Sequence, residues 1–559
     1  MCSSDLSVLA GALIAIGGSY LWNAHAPRVD ASGQWALFGK YCTECHNRDD
    51  FTAKIAFDRL SPESIAAEPE VFEAAVRKLR GGQMPPPGAQ QFDLATRRSW
   101  IAWLEHGLDA AATKKPQPGR VALHRLNRTE YANAVFDLLA LKIDVKALLP
   151  KDDESDGFDN VANVLKVSPS FLEQYIAAAR VISEMAVGDP NAKRDSRVYY
   201  QKPGANQNYH VEGMPLGTRG GMLVEHLFPA DGQYQFDIGG LARARYVEGL
   251  EYRHTLILTI DGVKVYENEI GGPEDVANVD LRQAAAVAEI NGRFERIRVP
   301  VTAGPHKVGA TFVARTMAES DAVLQPFVPG GGEVGIIEGE ESPLKIQRLE
   351  INGPFEPSGV SDTPSRKRVF VCRPKSEAEE LPCARDIVRH LARAAFRRPV
   401  TDADLATPLD FYATARRTGD FEQGVRSALM VVLASPEFLY RFSAPPADLA
   451  PGATYALDDD DLASRLSFFL WSSVPDDELL ALAGQRKLRD PAVIEAQVRR
   501  MLADPRAEAL VTSFAQQWLH VRNVREIVPD PVLFPGYTPN LGEALAREIE
   551  LFVGSVFLE

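Results

Sequence analysis

The chain has 559 residues, enough for three to five domains of roughly 100 to 200 residues each. Hydrophobic residues make up 45% and charged residues 25% of the chain, which are globular averages, so neither a disordered chain nor a polytopic membrane protein is indicated. The 61 Lys and Arg against 76 Asp and Glu give a net charge of -15, which repels polyphosphates, so nucleic acid is not an expected partner.

An apolar stretch near the start indicates export. It runs from Val8 to Ile16, extends through Trp22, and is followed by Ala24-His25-Ala26, a small-x-small cleavage signal. The first six residues contain no Lys or Arg, so we expect the true start to lie upstream or to have been altered. The stretch is shorter than the ~20 residues of a spanning helix. Residues 1–26 therefore predict a signal peptide for the periplasm or cell surface, with a membrane anchor at 7–22 or a buried core helix as alternatives.

The segment Tyr41-Cys42-Thr43-Glu44-Cys45-His46 contains a haem-attachment pattern. Two thiols three positions apart lie on one side of a helical turn, where each can add to a haem vinyl group, and the adjacent imidazole can then bind the iron. We predict one haem c, bound through Cys42 and Cys45, with His46 as an axial ligand. A thioredoxin-like redox pair or half of a zinc site is disfavoured, because the sequence shows no second Cys-x-x-Cys, no paired Cys/His cluster and no surrounding βαβ pattern.

Met84 is the predicted second axial ligand. It lies in Gly81-Gly82-Gln83-Met84-Pro85-Pro86-Pro87-Gly88, between predicted helices at 69–80 and 95–108, and the prolines stiffen the loop that presents the sulfur. A thioether ligand raises the reduction potential and closes the open coordination site of the iron. The alternatives are a methionine that only fills a packing gap, and His106 as the ligand.

The chain after residue 120 alternates between helical and strand patterns. Helices are predicted at 123–141 and 170–186. From about 195 to 355, alternating apolar and polar residues indicate strands, with Asp261-Gly262 as a hairpin turn, and the stretch is typical of a β-sandwich. A linker is predicted at 354–366. Further helices are predicted at 383–396, 402–418, 421–433, 458–471, 476–483, 491–502 and 506–518.

Two cysteines in the second half of the chain are a disulfide candidate. Cys372 and Cys383 flank a short charged stretch, and a local disulfide between them fits an oxidising compartment. Two buried free thiols are the alternative, because a sequence does not show whether the Cβ atoms meet.

Several motifs together resemble a known family. Residues 30–112 resemble a class I cytochrome c of the planctomycete type, and the order that follows resembles secreted multidomain proteins made of consecutive domains of unknown function. The motifs are Leu126-Asn127-Arg128-Thr129-Glu130-Tyr131, Gly157-Phe158-Asp159-Asn160, Phe396-Arg397-Arg398-Pro399, Ala434-Ser435-Pro436-Glu437-Phe438-Leu439-Tyr440-Arg441 and Leu462-Ala463-Ser464-Arg465-Leu466-Ser467-Phe468-Phe469-Leu470-Trp471. The resemblance implies haem binding and electron transfer but no established substrate. The family normally continues with further helical domains, so we expect a truncated piece of a longer protein.

The predicted fold class is multidomain, mainly α with one β-sandwich. The expected order is a signal peptide or anchor at 1–26, a class I cytochrome c domain at 30–112, a helical domain at 120–190, a jelly-roll-like β-sandwich at 195–356 that resembles a carbohydrate-binding module, a helical domain at 366–445, and a truncated helical domain at 454–559.

Three further groups of residues are candidate binding sites. Asp152-Asp153-Glu154-Ser155-Asp156-Gly157 partly matches a calcium loop, but its twelfth position is Asn163 in place of the bidentate Glu, so an acidic connecting loop is the alternative.

The sandwich is expected either to bind carbohydrate with the help of calcium or only to space its neighbours. The sandwich residues considered for binding are Tyr246, Tyr252, Glu225 and Asp231. The third group, an anion site or a salt-bridged helix surface, consists of Arg393, Arg397, Arg398, Asp402 and Asp404.

The predicted function is electron transfer by a haem c-binding protein of the periplasm or cell surface, whose other domains bind a substrate or a redox partner protein. One alternative is an oxidoreductase with its active site in the helical domains and the cytochrome as built-in electron acceptor. Another is an exported carbohydrate-binding protein in which the haem is sensory or structural. The sequence contains no Gly-rich nucleotide loop, recognisable Ser-His-Asp arrangement or paired His metal motif, so whether the protein is an enzyme is left open.

Overall fold

The computed structural model describes residues 31–558 except for 115–118, 120–122, 166–167, 202–206, 208–209, 242–249, 251, 314–343, 444, 451, 528, 531–532, 535–536 and 538. The predicted signal peptide at 1–26 and Tyr246 lie outside the described residues. The chain divides into two compact units. These are Met1–Arg120 with Ala450–Thr454, and Val121–Leu449 with Tyr455–Glu559.

The first unit is helical. Its described helices are α1 Ala31–Tyr41, α2 Ser64–Ala67, α3 Pro69–Arg80 and α4 Leu94–Lys114, with 3-10 turns at Thr52–Lys54 and Phe57–Arg59. Helix α3 has Pro69 in its first turn and buries Phe72, Val76 and Leu79, the i, i+4, i+7 spacing of an amphipathic helix. These three side chains share one core with Trp100 of α4, so the predicted helices at 69–80 and 95–108 are confirmed.

Several helices of the second unit begin at capping residues that can be recognised in the sequence. Its described helices are α5 Arg128–Leu139, α6 Val145–Leu148, α7 Pro169–Val187, α8 Pro273–Arg282, α9 Ala284–Gly292, α10 Pro364–Val369, α11 Glu377–Phe396, α12 Asp402–Arg416, α13 Phe421–Ala434, α14 Pro436–Leu439, α15 Asp459–Trp471, α16 Asp477–Gly484, α17 Pro491–Leu502, α18 Gln516–Trp518 and α19 Pro539–Phe557. Asn127 and Glu130 form a capping box at α5, and Thr401 and Asp404 form another at α12. Each box satisfies backbone N–H groups that the helix itself leaves unpaired.

Two helical segments predicted as separate domains, 120–190 and 366–445, share one hydrophobic core. Buried side chains of α5 and α7 pack in the same cluster as those of α11 and α13. Arg366 in α10 donates to the carbonyl of Val187 at the end of α7 at 2.5 Å and to the Glu422 carboxylate at 2.7 Å. The strand region between them is therefore an insertion into one helical core. Local patterns did not reveal this, because the packing joins residues far apart in the chain.

The inserted region forms two antiparallel four-stranded sheets, and two short strands outside it, β1 His124–Arg125 and β10 Tyr440–Arg441, pair with each other. The strands of the inserted region are β2 Asp195–Tyr200, β3 Thr218–Phe228, β4 Asp231–Gly239, β5 His254–Ile260, β6 Val263–Ile270, β7 Ile297–Val301, β8 Gly304–Val313 and β9 Arg348–Gly359. Their orders in the two sheets are β2-β9-β4-β7 and β3-β8-β5-β6. Phe236 of one sheet and Leu258 of the other belong to one buried cluster, so the sheets pack face to face as a sandwich. The predicted hairpin is confirmed, because β5 pairs with β6 and Asp261 and Gly262 have φ values of 52° and 79°.

Three predicted segments differ in the structure. The helix expected at 123–141 spans only Arg128–Leu139, because His124–Arg125 pairs as a strand with Tyr440–Arg441. The linker expected at 354–366 contains the end of β9 and the start of α10. The single helix expected at 506–518 is a 3-10 turn, Pro505–Glu508, a π-helix, Leu510–Ala515, and the short α18. Across the described parts of the chain, no helix combines the length and the apolar character needed to cross a membrane.

Candidate functional site

Cys42, Cys45 and His46 lie on one turn that continues α1. The Cys42 N–H donates to the Phe38 carbonyl and the His46 N–H donates to the Cys42 carbonyl, both at 2.9 Å. Phe38 is buried in the core of the first unit, which anchors the start of this turn. Both cysteines are free thiols, Cys42 half-buried and Cys45 exposed. The structure therefore brings the three residues of the attachment motif together.

The imidazole of His46 is oriented by the backbone. Its Nδ1 lies 2.9 Å from the carbonyl oxygen of Thr52, which can only accept, so Nδ1 carries the proton. The ring also contacts Phe57 edge-on, with centroids 5.8 Å apart. No further hydrogen bond to this ring occurs among the described residues, so the lone pair of Nε2 remains available to a metal ion.

The protonation state of Cys42 separates this motif from a redox-active cysteine pair. Burial raises the pKa of the Cys42 thiol to about 12. A thiol that exchanges disulfides needs a thiolate near neutral pH, which a lowered pKa provides. Cys42 is therefore protonated at neutral pH, unlike the attacking cysteine of a thioredoxin-like site.

Met84 lies in a separate loop between α3 and α4. Gln91 Nε2 bridges this loop by donating to the carbonyls of Pro85 and Pro86, at 3.2 and 3.0 Å. The end of the same loop packs against the attachment motif, because Phe92 contacts Tyr41 edge-on at 5.1 Å. Met84 itself is half-buried. Its rival His106 is exposed on α4, and the choice between the two ligands stays a prediction.

Three buried polar atoms of α1 and α4 lack hydrogen-bond partners among the described residues: Gln34 Oε1, Arg97 Nε and Trp100 Nε1. Trp100 is fully buried and packs edge-on against Phe38 and Phe92. An unpaired buried donor or acceptor costs roughly 1 to 3 kcal/mol, so such atoms normally have a partner. A haem fits this requirement for the two donors, Arg97 and Trp100, since its carboxylates accept hydrogen bonds from guanidinium and indole groups, whereas Gln34 Oε1 is an acceptor and needs a different partner. Sequence reasoning missed these residues, although a tryptophan at an apolar helix position already signals an N–H that needs an acceptor.

Cys372 and Cys383 form a disulfide in the structure, with their Cα atoms 5.9 Å apart. Cys383 is buried in α11, whereas Cys372 precedes that helix and packs against the same core. The bond therefore ties the segment before α11 to the shared helical core.

The predicted calcium loop already has one of its carboxylates engaged. Asp152 accepts from Arg125 at 2.8 Å and from the Arg128 N–H at 2.7 Å, and the Arg125 and Asp152 side chains are both buried. Within the described residues, no group of three or more His, Cys, Asp or Glu side chains is placed to hold a metal ion. Calcium binding stays a prediction.

The described candidate residues of the sandwich lie on different elements, and Tyr252 is half-buried just before β5. Glu225 is exposed on β3, whereas Asp231 begins β4 in the other sheet. Asp231 accepts from the Ala303 N–H at 2.6 Å and from the Ser361 hydroxyl at 2.9 Å, so it ties loops at the edge of the sandwich. Carbohydrate binding by these residues stays a prediction.

The candidate arginine group is dispersed into separate interactions. Arg398 forms a bidentate pair with Asp404 at 2.8 and 3.0 Å, and Arg393 pairs with Asp477 at 2.7 Å. Hydrogen bonds from the Arg398 side chain and from Thr401 lower the pKa of the Asp404 carboxyl group well below its usual range. Arg397 is buried and donates to backbone carbonyls, among them Glu437 and Tyr440. These contacts fit a structural role for all three arginines.

Three segments match family models, each described as a protein of unknown function. They are residues 124–188 (PSD3, DUF1587), 383–442 (PSD5, DUF1595) and 457–559 (PSD4, DUF1592). The first two flank the inserted sandwich and contribute to the shared helical core. No curated protein and no solved structure matches the chain.

Proposed function

We propose that the chain binds one haem c and transfers single electrons. It carries three of the planctomycete-type serial domains of unknown function, and the proposal rests on residues outside them. In this proposal Cys42 and Cys45 would hold the group through thioether bonds, and His46 Nε2 and Met84 Sδ would bind its iron. When bound, the haem supplies one-electron exchange between Fe(II) and Fe(III). In this proposal the first unit is a class I cytochrome c domain.

The observation that carries the proposal is the hydrogen bond from His46 Nδ1, in the Cys-x-x-Cys-His motif, to the carbonyl of Thr52. Imidazoles that bind metal ions usually donate their second N–H to a carbonyl or carboxylate, which fixes the tautomer and the ring orientation. His46 has this arrangement on the same turn as the two thiols that the attachment needs.

The remaining residues have supporting roles. Met84 supplies a neutral sulfur ligand, which favours Fe(II) and keeps small molecules away from the iron. Gln91 holds the proline-rich loop that carries Met84. The aromatic side chains around Trp100 form a buried core, which would keep water away from a bound haem and raise its potential.

We also propose that the protein is exported and meets a redox partner protein in the periplasm or at the cell surface. The disulfide between Cys372 and Cys383 supports an oxidising compartment. The second unit, with its jelly-roll-like sandwich, then binds a substrate or the partner.

Covalent attachment tests the proposal directly. The chain is produced in a host that attaches haem c, and haem is detected on the polypeptide after denaturing electrophoresis. We expect wild type and the control variant Cys372→Ser to retain haem, and the double variant Cys42→Ser, Cys45→Ser to lose it. A wild-type chain without covalent haem, or a double variant that keeps it, contradicts the proposal.

A further inference from the structure

The Gly157-Phe158-Asp159-Asn160 motif has no role in haem binding, yet it lies against a segment more than three hundred residues later. The Asp159 N–H donates to Gln517 Oε1 at 2.9 Å, and its carboxylate accepts from Asn127 at 2.8 Å and from Arg522. Asp159 and Gln517 are both buried. The motif therefore forms a fixed junction between two of the matched domains, residues 124–188 and 457–559.

Three aromatic rings line up at this junction. The ring centroids of Phe158 and Phe514 are 6.0 Å apart with planes 25° from parallel, and those of Phe514 and Trp518 are 6.0 Å apart with planes at 17°. Phe514 is 44% exposed and Trp518 is 58% exposed. Exposed aromatic surface of this kind, next to polar groups, is typical of a ligand site.

The backbone around the rings is unusual as well. Phe514 lies in the π-helix Leu510–Ala515, an element that is rare and often found at functional sites. His520 has a φ of 56°, a left-handed conformation that few residues other than glycine adopt. Its imidazole lies over Gly157, where an added Cβ would be 2.5 Å from His520 Cε1, and the φ of 84° at Gly157 also favours glycine.

His520 brings an available polar group to the edge of the rings. Its side chain is exposed and makes no hydrogen bond to any described residue. Asp159 and Arg522 form an ion pair, so their charges compensate each other at this site. The site thus offers near-parallel aromatic faces and an imidazole with no hydrogen-bond partner among the described residues. The exposed carboxylate of Asp156, two residues before Phe158, disfavours an anionic ligand.

We propose that Phe158, Phe514, Trp518 and His520 form a binding site for a neutral saccharide chain. A pyranose ring has a face of C–H groups that packs on an aromatic ring, and hydroxyl groups around its edge that need donors or acceptors. The row of rings would pack against the C–H face of the sugar, and the imidazole of His520 would hydrogen-bond to its hydroxyl groups. This site is distinct from the sandwich, goes beyond electron transfer, and does not depend on the haem.

Calorimetric titration of the full chain with cellohexaose, xylohexaose and chitohexaose tests the site. We expect at least one of these probes to bind wild type, and Trp518→Ala to weaken that binding about tenfold, equivalent to about 1.4 kcal/mol. Trp518→Phe keeps a ring in place and should retain most of the affinity. Phe469→Ala, which removes a 72% exposed ring outside the row, should leave the affinity unchanged.

Circular dichroism of each variant checks that it is folded, and Phe514→Ala provides a second truncation of the row. The proposal is overturned if none of the three saccharides binds wild type at millimolar concentration. It is equally overturned if a saccharide binds but folded Trp518→Ala and Phe514→Ala bind it as tightly as wild type, because the ligand then lies elsewhere.

Discussion

At the scale of single residues, Trp100 links the core of the first unit to the proposed cofactor. Its indole is fully buried among aromatic rings, while its N–H has no acceptor among the described residues. The side chain contributes apolar area to the core whether or not haem is present. Its N–H, in contrast, finds a partner only if a haem carboxylate or another acceptor lies there.

This difference predicts that Trp100→Phe destabilises the haem-loaded form more than the haem-free form of the protein. Without haem, the variant loses apolar area but no longer buries an unpaired N–H, so these effects offset each other to within about 1 kcal/mol. With haem, the variant also loses a hydrogen bond to a charged group, which costs an additional ~2 kcal/mol. Urea unfolding of wild type and Trp100→Phe, each with and without haem, measures the change in unfolding free energy that the substitution causes in each form. Equal destabilisation of the two forms would show that the indole N–H does not contact the haem.

His226 predicts how the sandwich responds to pH. Burial, followed by the positive charge of Arg197, lowers the pKa of His226 to about 4, and Nδ1 is 2.9 Å from the Tyr199 hydroxyl. His306, which lowers the same pKa, lies directly opposite on β8, whereas Asp195 raises it. An unfolded histidine has a pKa of about 6.5, so the unfolded chain binds more protons between about pH 4 and 6.5.

Stability contributed by His226 is therefore fully present above about pH 6.5 and is lost as the pH falls toward about 4. We expect the sandwich to lose on the order of 2 kcal/mol of unfolding free energy between about pH 7 and about pH 4.5. In His226→Gln this part of the pH dependence should disappear. Near-ultraviolet circular dichroism in urea at both pH values follows the unfolding of the sandwich. If the unfolding free energy of the variant falls with pH as steeply as that of wild type, the assignment to His226 is wrong.

At the scale of elements, the disulfide joins the segment before α11 to the helical core. It closes a short loop, with a sequence separation of 11 between Cys372 and Cys383. Such a crosslink restricts the unfolded chain, and a loop of this length contributes about 2 to 3 kcal/mol. The double variant Cys372→Ser, Cys383→Ser should lose this stability in urea unfolding, and its midpoint should not respond to dithiothreitol. A wild-type midpoint that is also unaffected by dithiothreitol would argue against a stabilising disulfide.

Most elements were predictable from the sequence because their signals are local. The helix at 491–502 agrees at both ends with α17, since Asp490 caps its start and Pro491 stands in its first turn. The hairpin at Asp261-Gly262 follows from residues that accept positive φ. The segment 506–518 differs because a helical pattern does not distinguish an α-helix from a π-helix, whose hydrogen bonds depend on the packing around it.

The candidate site was predictable in part for the same reason. The attachment motif is contiguous, so Cys42, Cys45 and His46 could be identified from their spacing alone. The Thr52 carbonyl that orients His46 belongs to the backbone, and its role depends on the fold of the loop. Gln34, Arg97 and Trp100 come from two helices that meet only in the folded unit, and no local pattern connects them.

At the scale of the whole molecule, the sandwich interrupts one helical core. Because α5 and α7 bury their apolar faces against α11 and α13, neither pair has a complete core alone. A fragment of residues 123–190 should therefore show little helix by circular dichroism. A chain in which a short flexible linker replaces residues 195–359 should keep the helical core folded, because Arg366 and Val187 already hold the ends of the insertion together. A stably helical 123–190 fragment would contradict this organisation.

The absorption spectrum of the haem-loaded chain, oxidised and reduced, tests the central claim most directly when wild type is compared with Met84→Ala. We expect wild type to show a sharp α-band when reduced and a weak near-infrared Met-to-iron band when oxidised, and Met84→Ala to lose the near-infrared band. If wild type is instead high-spin and five-coordinate and binds carbon monoxide readily, Met84 is not a ligand and the account of a six-coordinate electron carrier is wrong.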